Sequence, residues 1–116
     1  MTLSEIPSFT TTVSHDEDAR VVVVAGEIDM VTAPEFARAL ESASVGSRRV
    51  VADLTEVGFF DSSGLAALVR AHRALTARGI ELRVVVPPSA LARRVLELTR
   101  LDELLHVDES RTAALS

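Results

Sequence analysis

The chain has 116 residues, 47% hydrophobic and 25% charged, with a formal net charge of −5 and a pI near 5.1. That length reads as one domain, able to bury about two-thirds of its unfolded surface, and the composition excludes a disordered chain. With no cysteine there is no disulfide framework, thiol nucleophile or thiolate metal site, and the acidic balance excludes a nucleic-acid or anionic-membrane binder.

All twelve basic residues are arginine, and a net negative surface suits a basic or neutral partner. No apolar run reaches the ~20 residues of a membrane span. The opening "MTLSEIPSFTTT" lacks the basic start and apolar middle of a secretory signal, so the cytoplasm is the expected compartment.

The β-branched run "PSFTTTVSH" and, after the turn-like "DED", "ARVVVVAGEI" predict two strands paired as a hairpin, the first at an edge. In "VTAPEFARALESASVG", Thr32 and Glu35 have capping-box spacing and Pro34 falls in the first turn. Phe36, Leu40 and Ala43 share one helical face, and Gly46 ends the helix.

A buried strand is predicted from Arg49 to Leu54, followed after Asp61 by a helix whose Leu65, Leu68, Val69, His72 and Leu75 lie on one side. Gly79 stops it. "IELRVVV" then reads as a strand ended by Pro87-Pro88, and "SALARRVLEL" as a helix capped by Ser89 with Leu91, Val95 and Leu98 as its apolar stripe. "LLHV" gives a last short strand, and Asp108 is the expected cap of a closing helix, "ESRTAAL". Strand–helix–strand units imply mostly parallel pairing, so the expected fold is α/β: a mixed, mostly parallel sheet of four to five strands with about four helices, its core over about 8–114.

The chain lacks a G-x-S-x-G elbow, a phosphate loop with its lysine, and an H-E-x-x-H helix. His15, His72 and His106 fall on separate elements, and His72 on an apolar face reads as structural. Neither catalysis nor a cofactor or metal is indicated. Two stretches invite a functional reading. Asp29, in "GEIDM", sits where a strand gives way to a helix, a place any turn fills with aspartate. In "GFFDSSGLAAL", Asp61, Ser62, Ser63 and Gly64 are what a helix start uses, and equally what an exposed hydroxyl needs to receive a charge. With Asp61 as cap, Ser62 and Ser63 occupy the first turn, where free amides and the positive helix end favour an added anion. Gly64 costs about 1 kcal/mol relative to alanine inside a helix, so helix stability is not what placed it.

"GEIDMVTAPEF" and "VVADLTEVGFFDSSGLAAL", at this separation in a chain of this length, resemble the STAS domain and within it the anti-sigma factor antagonists of bacteria. The resemblance runs from the first strand to the last helix and implies a small α/β binding module, not an enzyme. It implies that an anti-sigma factor that is also a serine kinase is bound by the unmodified protein, freeing a sigma factor, and phosphorylates Ser62 to break the contact. A phosphatase then resets the switch. It further implies a partner surface of Glu27, Asp29, Thr32, Asp61, Ser62, Ser63, Gly64 and Leu65, and a monomer or weak dimer. The alternative is an unphosphorylated soluble STAS subunit of a membrane lipid-transport complex.

Overall fold

The structure, a computed structural model, describes residues 8–116. The opening segment read as lacking a secretory signal lies outside the described residues up to residue 7, as does the predicted start of the first strand at Pro7. The elements run β1 (Phe9–Asp16), β2 (Ala19–Ile28), α1 (Ala33–Ala43), β3 (Arg49–Phe60), α2 (Ser62–Ala77), β4 (Glu81–Val85), α3 (Leu91–Leu98), β5 (His106–Asp108) and α4 (Arg111–Leu115). They form one five-stranded sheet in the order β1-β2-β3-β4-β5, antiparallel between β1 and β2 and parallel elsewhere. The predicted hairpin, mostly parallel sheet and four helices are all present. Among the described residues no helix is long and apolar enough to cross a membrane.

Alternation along the strands divides the sheet into two unequal faces. Val22, Val24, Val50, Ala52 and Leu54 point to one side, against Phe36 and Leu40 of α1 and Leu68 and Leu75 of α2, all fully buried. Each of these valine, leucine and phenylalanine side chains contributes about 1.5–3 kcal/mol through removal from water, and Ala52 less. The other face carries a small cluster of Val21, Val51 and Val85 beneath Ala114 of α4.

Four local expectations are corrected. β3 continues six residues beyond Leu54, because two bulges hide its periodicity. From Val23 to Ala25 β2 advances two residues while β3 advances three, and from Gly26 to Glu27 one while β3 advances two. These insertions bring Phe60 back to the core side, buried at the strand's end. Thr32 stands at the start of α1 with Pro34 in the first turn, but its side chain makes no cap bond. The capping box with Glu35 does not form, since the Thr32 hydroxyl is engaged in the preceding turn.

In α3 the residue before the helix is Ala90, not Ser89, and Ala92 and Leu96 are its buried residues, while Leu91 and Leu98 are exposed. Arg93 accounts for that rotation: its guanidinium donates to the carbonyls of Val86 and Asp108, tying the side of α3 next to Ala92 to the strand ends. At α4 the cap is Ser110, whose hydroxyl accepts from the Ala113 amide, and Asp108 lies in β5 instead.

Candidate functional site

Parallel strands β2 and β3 end side by side, with Ile28 opposite Phe60 and the Asp61 amide donating to the Ile28 carbonyl at 3.4 Å. The β2–α1 turn and the start of α2 are therefore neighbours, so Glu27, Asp29 and Thr32 share one end of the sheet with Asp61, Ser62 and Ser63.

The turn is built by Asp29 and Thr32. One Asp29 carboxylate oxygen accepts from the amides of Val31 (2.9 Å) and Thr32 (3.0 Å). The Thr32 hydroxyl in turn accepts from the Asp29 amide (2.9 Å) and donates to the Glu27 carbonyl (2.8 Å). The Thr32 amide, helped by the Val31 amide and the Thr32 hydroxyl, holds the Asp29 carboxyl below the usual carboxylate range against the opposing effect of burial. Gly26 precedes this turn with φ +104°, and a Cβ there would come within 2.1 Å of the Ser8 carbonyl oxygen, so only glycine fits.

Asp61 caps α2 as its spacing predicts. Its backbone is extended, and its carboxylate accepts from the Ser63 amide at 2.9 Å and the Gly64 amide at 3.3 Å. The Leu65 amide donates to the Asp61 carbonyl. The Asp61 carboxylate thus takes two of the amides that lack a partner within the helix, which leaves less room for an anion than the free first turn expected from sequence.

Ser62 is exposed and Ser63 half-buried, lining a groove with Met30, Ala33 and Pro34. Gly64 and Leu65 point inward. A Cβ on Gly64 would sit 2.6 Å from the Phe60 ring and 3.0 Å from Ile28, so its small size lets α2 close onto the strand ends. This internal packing explains the glycine without reference to a visiting protein. Glu27 projects into solvent, and among the described residues none of Glu27, Asp29 and Asp61 makes an ion pair.

Residues the sequence reading missed frame these acids. Met30 and Val31 are 76% and 81% exposed in the turn, and Phe59, whose Cα lies opposite that of Glu27, is 43% exposed. The available signal was an apolar pair between two turn residues, Asp29 and Thr32, where neither a strand nor a helix face could receive it. An apolar centre with unneutralised acids around it has the make-up of a protein-binding surface.

No group of His, Cys, Asp or Glu suited to a metal occurs among the described residues. His72 is half-buried on α2, and its Nδ1 has no hydrogen-bond partner.

The sequence model of the STAS domain matches residues 10–114. An anti-sigma-B factor antagonist of Listeria monocytogenes is 40% identical over 80% of this chain and 82% of its own length. The crystal structure of an anti-sigma factor antagonist from Mycobacterium paratuberculosis superposes with a TM-score of 0.78 at 34% identity, covering 93% of this chain and 92% of that one. The unphosphorylated antagonist SpoIIAA shares the fold alone, with a TM-score of 0.69 at 18% identity over 90% of this chain and 92% of its own. The chain belongs to the STAS domain family, among its anti-sigma factor antagonists.

Proposed function

We propose that this antagonist is a cytoplasmic binding switch, not an enzyme. Unmodified, it holds an anti-sigma factor with serine-kinase activity and so frees a sigma factor for transcription. Phosphorylated by that kinase on Ser62, it lets go, and a phosphatase returns it to the binding state.

One observation carries this reading: the exposed Ser62 stands at the start of a helix whose cap is itself an acid, with Asp29 in the adjoining turn and, among the described residues, no cation paired to either. A phosphate on Ser62 adds about 1.5–2 negative charges. Ser63, Gly64 and Leu65 already give their amides to Asp61. Bringing that charge into a contact therefore means desolvating it beside like charges. A penalty of about 3 kcal/mol weakens binding somewhat more than a hundredfold. The partner contact runs over Glu27, Asp29, Ser62 and Ser63 and the apolar Met30, Val31 and Phe59, while Thr32, Asp61, Gly64 and Leu65 hold them in position.

The test is incubation with each candidate anti-sigma kinase and ATP, followed by peptide mapping. Phosphate is expected on Ser62, lost in Ser62→Ala and kept at least in part in Ser63→Ala. Phosphate found only on Ser63 overturns the assignment.

A further inference from the structure

Farther along α2, past the serine pair, the surface changes character. Leu65, Ala66, Val69 and Leu101 line a shallow apolar groove of about 450 Å³ between α2 and the segment after α3, bordered by Arg70 and Arg73. No acidic residue lines it, although acids outnumber bases 17 to 12 in the chain. Among the described residues neither arginine makes an ion pair, and the acid Glu103 of the adjoining loop is paired with Arg100 instead. Leu98 and Leu104, three residues to either side of Leu101, are 72% and 49% exposed. The next groove, on the α1 side, also has Arg70 in its wall, together with Arg38 and Glu41.

We propose that this groove is a second docking surface, for an acidic amphipathic helix of a partner protein. The apolar floor takes the partner's leucine-like stripe, and Arg70 and Arg73 meet carboxylates flanking that stripe. From Leu65 to Arg73 α2 rises about 12 Å, a little over two turns of a facing helix, enough for apolar residues spaced i, i+4 and i+7. Arg73 and the lack of acids set the sign of this groove opposite to that of Asp29 and Asp61, although Arg70 also lines the groove that holds Met30 and Ser63. The two surfaces consequently select different segments, and this docking does not depend on Ser62 being modified.

The experiment titrates isotope-labelled chain with a synthetic amphipathic helix of leucine and glutamate, and separately with its leucine–lysine counterpart, following amide resonances. The glutamate peptide should shift Leu65, Ala66, Val69, Arg70, Arg73 and Leu101 and bind on the order of tenfold tighter than the lysine peptide. Arg70→Glu with Arg73→Glu should reverse that preference without changing the melting temperature, and Ser62→Ala should leave it intact. Equal affinity for both peptides, no binding of the glutamate peptide, or shifts confined to the Asp29–Ser62 end would overturn the proposal, whatever kinase assays show for Ser62.

Discussion

The two ends of this molecule treat acidic residues in opposite ways. Beneath α4 the acids Asp53 and Glu81 are each paired with arginine, while the half-buried Asp108 carboxylate of β5 lies 3.5 Å from His106. Asp53, almost fully buried in β3, meets Arg111 and also accepts from the Thr55 amide and hydroxyl. Burial alone would raise its pKa; Thr55 and Arg111 together outweigh burial and hold the carboxyl below its ordinary range. Glu81 bridges Arg49 (2.7 Å) and Arg83 (3.0 Å), and both arginines also donate to carbonyls at the end of α4. At the β2–α1 turn and the start of α2, by contrast, Asp29 and Asp61 receive, among the described residues, only amides and a hydroxyl. Neutralised acids fasten a short helix to the sheet, whereas acids left without cations carry their charge at the surface proposed above for the partner and the phosphate.

The largest break in this contrast is Arg111→Ala. It leaves Asp53 charged and buried without its cation, and should lower the unfolding free energy by about 3 kcal/mol. Chemical denaturation reads that loss, and affinity for the anti-sigma factor should stay unchanged because α4 lies on the opposite sheet face. Ser62→Glu tests the other end. A carboxylate brought into the contact should weaken binding roughly thirtyfold, about 2 kcal/mol, while Ser62→Ala binds like the unmodified chain. Equal affinities for these two variants in calorimetry would count against exclusion by charge.

Gly64→Ala lies between the two. Alanine favours the helix by up to about 1 kcal/mol, but its methyl must displace the buried Phe60 ring, so a net loss of about 1 kcal/mol is expected. A more stable variant would show that α2 can withdraw from the strand end freely. Asp29→Asn should have the smallest effect. The amide oxygen can still accept from Val31 and Thr32, so the melting temperature should barely move, while losing the charge should slow association and weaken binding on the order of fivefold. Because the folded-state pKa of Asp29 is lowered, its contribution to turn stability is present above the ordinary carboxylate pKa of about 4 and is lost as the pH falls through the lowered value. Carboxyl carbon shifts over that range should titrate below those of an unfolded aspartate.

Much of the frame was legible because local chemistry and tertiary structure agree there. The valines of β2, the Phe36 and Leu40 side of α1 and the Asp61 cap each form as their spacing predicts. Where they diverged, a long-range contact decided. Two bulges broke the period of β3, so Thr55–Phe60 did not read as strand. Arg93 turned α3 so that Ala92 and Leu96, not the larger Leu91 and Leu98, face the core. Gly64 showed only as a cost to its helix; the Phe60 ring that requires it lies in another element. The exposed Met30 and Val31 were hidden because apolar residues are assigned inward by default, and only the finished turn leaves them outside.

In the proposed switch, charge at Ser62 rather than bulk governs release. The direct measurement is the Kd of the anti-sigma factor for unmodified chain and for chain fully phosphorylated on Ser62, by calorimetry across a series of salt concentrations. A difference of about a hundredfold is expected that changes little with salt, because a phosphate desolvated within the contact is screened weakly. Equal affinities, or a difference abolished by moderate salt, would contradict exclusion by a desolvated charge.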